Sequence, residues 1–454
     1  MSLLKVGLVV DSARADRYVE ELVLWARQQP DIRLSLVVSP RPKTALDFLL
    51  RAESALLRWR KAHRDHYAVR GFVEPGERPD LLISFQQPFT GFWECYRREP
   101  QTEFRIRRMT ATGEEVLARG AYKTLFYYSL NQAHVYKKAV SHLKRLLKDA
   151  AATGRLPAPQ RAVPPPAVPT LAHGAIYGAK LLGRIALKAL GRLPLLRERF
   201  GVSVLSGRWD QPIQWQRAAT PRGRFWADPF LHTRGGRTFC FVEDLDGRTK
   251  RGRIAVLEVA GGRLLERGIA LEEPFHLSFP FLFEHGGELY MCPESSEARE
   301  IRVYRCVEFP LKWRLERTLM RGVSAADTML FEKGGRWWML TNIDEADTGD
   351  HCSELYLFSA DSPLSANWTP HRHNPILVDS IGGRNGGLIR DGERLYRIGQ
   401  CQGFDRYGEG LRVYEIREIS GSRYVEELVG ERIHGTHHLS SDGRTTVIDH
   451  AWGL

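Results

Sequence analysis

Five short glycine turns, evenly spaced along the C-terminal part of the chain, limit its possible folds more than any other feature. "PFLHTRGGRTFCFVE" turns at Gly235, "PFLFEHGGELYMCPE" at Gly286 and "TMLFEKGGRWWMLTN" at Gly334. "GLIRDGERLYRIGQ" turns at Gly392 and "HLSSDGRTTVIDH" at Gly443, so successive turns lie 48 to 58 residues apart. Each copy is an apolar run, a tight Gly or Asp-Gly hairpin, and a second apolar run. Further strand-like runs lie between the copies: "GRIAVLEV", "IRVYRCV", "ELYLFSA" and "GLRVYEI". About four strands repeated at roughly 50 residues predict one propeller blade per copy. Residues 201–454 therefore read as an all-β, five-bladed propeller.

The register of the repeat sorts positions by role. Four residues after the turn glycine stand Phe239, Tyr290, Trp338, Tyr396 and Val447, a core position throughout. Seven residues before it stand Asp228, Phe279, Asp327, Asn385 and Thr436, with Ser278 and Arg384 one place earlier. Eight residues after it stand Glu243, Glu294, Asn342 and Gln400, with Asp449 and His450 near that place in the last copy. Strand side chains alternate faces, and the first strand of each blade lines the central channel. Equivalent polar positions are thus expected to converge on one axis. Asp228, within "FWADPFL", would face a funnel shared with Asp327, Glu243, Glu294, Asn385, Gln400 and His437. Crowded carboxylates push one another's pKa apart, which separates an acid from a base. Glu272, Glu273 and the acidic residues of 344–350 fall in loops and read as surface charge. His434, His437 and His438 share a turn-rich segment, and no metal site is expected from them.

Residues 1–150 read as an α/β domain with a parallel sheet. "LKVGLVV" ends at Asp11-Ser12, a helix cap, and is followed by "YVEELVLWARQQ", "IRLSLVV", a helix over about 45–63, and "PDLLISF". There is no G-x-G-x-x-G and no phosphate loop, so no nucleotide cofactor is expected. Residues 151–200 form a linker: a proline-rich stretch, then "GAKLLGRIALKALGRLP", with Lys180, Arg184, Lys188 and Arg192 recurring every four residues. Ile176, Leu182, Ile185, Ala186, Leu190 and Leu193 fill the rest of that helix. Such a basic amphipathic helix is expected either to rest on an anionic membrane surface or to pack on a domain with its basic face in water.

Net charge is +12 with a pI near 9.5, which favours anionic partners. No aromatic-basic platform points to nucleic acid. The six cysteines show no C-x-x-C spacing and no zinc pattern. With no secretory signal at the start, a reducing cytoplasm is expected, peripheral to the inner membrane face if the basic helix binds lipid. No apolar run is long enough to span a bilayer.

The stretch "RFWADPFL…FVEDLDGRTKRGRIAVLE…SFPFLFEHGGELYMCPES…AADTMLFEKGGRWWMLTN" resembles the N-terminal propeller of the glucosamine inositolphosphorylceramide transferase family. It also resembles, more distantly, the furanosidase and arabinanase propellers. That second likeness implies roles: Asp228 as general base, Asp327 as the residue tuning the acid, and Glu243 or Glu294 as the acid. It implies inversion if the two working carboxyls stand about 6.5–9.5 Å apart. Asn385, Arg384, Gln400, His437, Ser278 and Asn342 would hold the sugar or glycoconjugate. "GFWECYRREPQTEFRIRRMTATGEEVLARG" is similar to the methionyl-tRNA formyltransferase family. That family's catalytic Asp falls on Ala111, and its Asn/His stretch has no counterpart, so the first domain reads as a truncated relative. The expected function is carbohydrate chemistry or recognition at the funnel, in building or modifying a cell-surface polysaccharide or glycolipid. The alternatives are a non-catalytic propeller that scaffolds a partner enzyme, and residual formyl or group transfer by the first domain.

Overall fold

The computed structural model describes residues 3–11, 17–40, 44–59, 79–160, 164, 166–190, 199–210, 216–217, 220 and 223–452. The chain divides into two compact units, Met1–Lys188 and Ala189–Leu454.

The first unit is built on one five-stranded sheet in the order β2-β1-β3-β4-β5. Its strands are β1 (Leu4–Val10), β2 (Ile32–Val38), β3 (Leu81–Ser84), β4 (Gln101–Thr110) and β5 (Gly113–Lys123). Parallel pairing holds only for β1 with β2 and with β3. β4 and β5 form an antiparallel hairpin against β3, so the sheet is mixed: the three strands read from the sequence pair in parallel, and the hairpin adds an antiparallel edge. A four-residue strand followed by two long strands around a Thr112-Gly113 turn has no room for a crossover, so the chain returns as a hairpin. Among the described residues, five helices accompany the sheet: α1 (Arg17–Arg27), α2 (Ala45–Trp59), α3 (Phe92–Arg97), α4 (Tyr128–Thr153) and α5 (Leu171–Leu190). Ser12 and residues 60–63, read as cap and helix end, lie outside the described residues, as do Arg192, Leu193 and the side chains of Lys188 and Leu190.

The second unit is a ring of five antiparallel sheets. Blade one runs Arg224–Arg234, Arg237–Asp246, Gly252–Ala260 and Arg263–Leu271. Blade two runs Ser278–His285, Glu288–Glu294, Glu300–Glu308 and Lys312–Arg321. Blade three has Ala325–Lys333, Arg336–Ile343 and Glu354–Ala360, finished by the short Thr369–Pro370 and Leu377–Val378. Blade four has Ile381–Asp391, Arg394–Gly403, Arg406–Ile419 and Tyr424–His434. Blade five is composite: Leu439–Ser441 and Thr445–Trp452 come from the end of the repeat, Arg199–Ser206 and Gln216–Arg217 from its beginning. The ring is therefore closed by strand pairing between segments about 240 residues apart, which leaves no first or last blade with a bare edge. Val202, Val204 and Val447 from this closure pack with Trp226, Cys240 and Val242 of blade one.

The core position of the register behaves as read: Phe239, Tyr290, Trp338, Tyr396 and Val447 are all buried. The six cysteines are free and buried.

Candidate functional site: the axial funnel

The polar position eight residues after each turn glycine pairs across the hairpin with the one eight residues before it, next to the Asp228 position. Ala227 faces Glu243, Ser278 faces Glu294, Ala326 faces Asn342, and Arg384 faces Gln400. In three blades the ladder slips immediately after that first-strand residue, at 227/230, 278/281 and 326/329, and in blade four one residue later, at 385/388. In three blades the residue in the slip has a left-handed backbone: Asp228 at φ 48°, Phe279 at 45° and Asp327 at 48°. A bulge of this kind frees one residue from pairing and re-aims its side chain. That is how an Asp followed by Pro can stand inside an apolar strand: Asp228 leaves the ladder and turns to the axis. The left-handed backbone costs of order 1–3 kcal/mol per non-glycine residue, and such strain tends to be held at functional sites.

Side chain to backbone bonds at the axis join blade five to blade one, blade one to blade two, and blade three to blade four. Asp449 Oδ2 accepts from the Asp228 amide at 3.2 Å, and Asp228 Oδ2 from the Phe279 amide at 3.1 Å. Asn342 Oδ1 accepts from the Asn385 amide at 2.9 Å, and the Asn385 side chain donates to the carbonyl of Asp327 at 2.9 Å. Asn342 also donates to the carbonyls of Glu354 and Gly383. Asn342 and Asn385 are thus fully buried and spend their amides on the backbone. Gln400 is buried too, and donates to Asp327 Oδ2 at 3.0 Å and the Asn385 carbonyl at 2.6 Å. Ser278 lies buried opposite Glu294.

Two ionic clusters remain facing the funnel. In the first, His437 Nε2 lies 3.3 Å from Asp228 Oδ1 and 3.1 Å from Asp449 Oδ2. Burial works against charge on this ring, but the two carboxylates outweigh it and lift its pKa to about 9. Burial likewise works against the Asp228 carboxylate, and the His437 bond and charge overcome it, taking its pKa down to about 2. Asp449 Oδ1 accepts from Thr436 Oγ1 and from the His437 and His438 amides, each at 3.0 Å. Five donors on one buried carboxyl are the arrangement of an anion, although burial itself pushes Asp449 up. Asp228, His437 and Asp449 are also the described group whose ligand atoms lie close enough to hold a metal. The imidazole already bridges both carboxylates at hydrogen-bond distance, so a proton fits this set as it stands.

In the second cluster Arg384 reaches two blades. Its Nε is 2.6 Å from Asp327 Oδ2 and its terminal nitrogen 3.3 Å from Glu294 Oε2. Burial, against the pull of Arg384, drives Asp327 well above the usual carboxylate range. Glu294 goes down: burial opposes its charge, but Arg384 and His351 prevail. The two acids therefore titrate as one pair around a shared cation. Glu243 stands apart. Burial raises its pKa, Asp228 adds to the rise, and a 3.2 Å contact with His276 Nε2 opposes it. His276 Nδ1 accepts from the Gly252 amide at 3.0 Å, which fixes the ring proton of neutral His276 on Nε2, aimed at Glu243.

Register reasoning missed His276, His351 and Tyr407, because loops and a hairpin end supply them. Tyr407 follows the turn at Asp405, which has φ 49°. Its ring covers the Arg384 guanidinium at 5.0 Å and lies 5.2 Å from the His437 ring. It is 37% exposed, an aromatic face turned to solvent above two buried ionic clusters. Asp344, read as surface charge, is buried and accepts from the Thr348 and Gly349 amides at 2.6 and 2.7 Å; it organises its own loop. His438 is buried with its ring against Phe230 and Phe279 and stays neutral down to about pH 3.

Five sheets in a closed ring around a polar, ionic axis make this unit a five-bladed β-propeller with an axial site. Residues 214–443 match the family described as glucosamine inositolphosphorylceramide transferase 1, N-terminal, and the chain belongs to that family. Glucosamine inositolphosphorylceramide transferase 1 of Arabidopsis thaliana is 38% identical over 208 residues, 44% of this chain and 27% of the relative. The Oryza sativa subsp. japonica protein of the same name is 37% identical over 209 residues, again 44% and 27%. The chain thus spans about a quarter of the length of the curated relatives it matches. Among solved structures, Zg3597, a family 117 glycoside hydrolase of Zobellia galactanivorans, aligns at 11% identity and TM-score 0.39, over 56% of this chain and 91% of its own. The catalytic domain of the Coprinopsis cinerea GH62 α-L-arabinofuranosidase aligns at 14% identity and TM-score 0.38, over 53% and 85%.

Proposed function

We propose that the axial funnel takes a sugar-bearing substrate, and that the protein works in assembling or modifying a glycolipid or cell-surface polysaccharide at the cytoplasmic side of a membrane. Family membership supports the substrate class, through relatives named glucosamine inositolphosphorylceramide transferase 1. One observation carries the chemical reading. Asp228 and Glu243, on paired strands of blade one, face one site and have their pKa values driven in opposite directions, Asp228 down by His437 and Glu243 up by burial. A depressed carboxylate beside a raised carboxyl is the pairing that general acid–base chemistry uses.

In a hydrolytic reaction the Asp228 carboxylate would take the proton of an attacking water, and Glu243 would give its proton to the leaving oxygen. Glu243 suits the acid role better than Glu294, whose charge Arg384 stabilises. Asp327, sharing Arg384 with Glu294, would set the local charge. Tyr407 offers a face for a sugar ring. A second reading, binding without turnover, is favoured by the bonds Asp228 already makes: one oxygen to Phe279, the other to His437.

Asp228→Asn and Glu243→Gln, assayed for turnover and for ligand binding, separate these readings. Turnover lost by at least about a hundredfold with binding retained supports acid–base catalysis. Unchanged turnover in both variants overturns it. For the first unit we assign no formyl transfer, since Ala111 stands where the formyltransferase resemblance requires an Asp.

A further inference from the structure

The basic helix α5 is turned inside out relative to a simple cationic stripe. Lys180 and Arg184 point at the domain. Lys180 Nζ lies 3.8 Å over the Tyr96 ring and 3.3 Å from the Tyr96 carbonyl. Arg184 donates to the Cys95 carbonyl at 2.8 Å and the Tyr96 carbonyl at 3.4 Å. Both cations therefore sit at the C-terminal carbonyls of α3, where positive charge is favoured. Tyr177 is the buried anchor of the inner face and packs with Phe92 and Tyr128.

Among the described residues, the outer face carries no charged side chain. Leu171 is 55% exposed, Ile176 46%, Leu182 70% and Leu187 69%. The residues between them on that face, such as Ala179 and Ala186, are exposed alanines and a glycine. An apolar stripe of about five turns is larger than a soluble surface normally leaves uncovered. Its rim is aromatic and cationic: Trp93 and Tyr96 pack edge-on against His173 of α5, and Arg97 and Arg98 are exposed at the end of α3. Charge selects the occupant. Between Asp149 and Glu198 the sequence has seven Lys or Arg residues, of which Lys180 and Arg184 are spent on the domain, and no acidic one. No described helix is long and apolar enough to cross a membrane.

We propose that the outer face of α5 docks on an anionic lipid surface, lying in the interface with Leu171, Ile176, Leu182 and Leu187 in the acyl boundary and the exposed Arg97 and Arg98 at the end of α3 toward the headgroups. Apolar faces of this kind bind by buried area, and adjacent basic residues add attraction to anionic lipid. This does not depend on what the funnel binds.

The test is co-sedimentation of the full chain with phosphatidylcholine vesicles and with vesicles carrying 30 mole per cent phosphatidylglycerol, a composition chosen at about the anionic content of many membranes. Binding to the anionic vesicles, weakened at least about tenfold by Leu182→Glu with Leu187→Glu, is expected. Both side chains are exposed, so the variant should keep the melting temperature of the parent. Because all six native cysteines are buried, Leu182→Cys can carry a polarity-sensitive fluorophore, and its emission should shift to the blue with anionic vesicles. Failure of the parent chain to sediment, or equal sedimentation of the double variant, overturns the proposal. So does a dimer in solution that the double variant dissolves without any vesicle binding, which assigns the face to a second copy.

Discussion

His437 Nε2 bridges Asp228 Oδ1 at 3.3 Å and Asp449 Oδ2 at 3.1 Å, tying blade five to blade one through a single proton-bearing ring. The folded ring keeps its proton to about pH 9 and the unfolded ring releases it near 6.5. The stabilisation is complete below pH 6.5 and is lost between 6.5 and 9. His438 works in the other direction: folded, it stays neutral to about pH 3, so stability falls as pH drops from 6.5 toward 3. The second unit should be most stable near pH 6–7, a range set by these two rings. In melting curves across pH, His437→Gln should flatten the fall in stability between pH 6.5 and 9 and also change the acid limb, because Asp228 loses the cation that holds its pKa near 2. An unchanged alkaline limb would show that the ring is not the bridge.

Arg384 holds Asp327 and Glu294 from two other blades. Removing it strands two buried carboxyls, and breaking a buried pair costs about 3–5 kcal/mol. Arg384→Ala should lose roughly that much stability in chemical unfolding, and Asp327→Asn added to it should recover part of the loss. Strict additivity of the two changes would deny the coupling.

Closure of the ring rests on Arg199–Ser206, paired with Thr445–Trp452 across the whole strand. A chain starting at residue 189 should melt cooperatively like the parent's second unit. A chain starting at residue 218 should not, since it leaves Val447 and Trp226 without Val202 and Val204. Circular dichroism melts of the two truncations distinguish the outcomes.

Gly408 places Tyr407. Its φ is +64°, and a Cβ there would come 2.8 Å from His437 Cβ. Gly408→Ala should cost about 1–3 kcal/mol and displace Tyr407 from the Arg384 and His437 faces. Binding of any funnel ligand should weaken with it. Tight binding by a variant that has lost that stability would remove Tyr407 from the site.

The repeat made much of this visible in advance. Hairpin glycines fixed the register, and the register put Asp228, Asp327, Glu243, Glu294, Arg384 and His437 at one axis. It could not separate a side chain that faces the funnel from one that staples blades, so Asn342 and Asn385 looked the same as Asp327. The left-handed slip at residue 228 was foreshadowed only by the Asp-Pro pair. Closure by residues 199–206 was hidden because strand pairing over such a separation leaves no local pattern. Tyr407 and His276 lie off the repeat. The direction of Lys180 and Arg184 depended on the carbonyls of α3, a helix far away in sequence. In the first unit, local periodicity revealed β1, β2 and β3, but the β4–β5 hairpin needed its turn at residues 110–113 to be weighed as such.

The most direct test of the funnel as a sugar site is the His437 ring signal in a 1H–13C NMR titration with soluble glycans, including amino sugars linked to inositol phosphate. A saturable shift with at least one glycan, abolished by Arg384→Ala, is the expected result. A glycan that binds by calorimetry yet leaves the His437 signal unmoved, or a panel in which none binds, would contradict it.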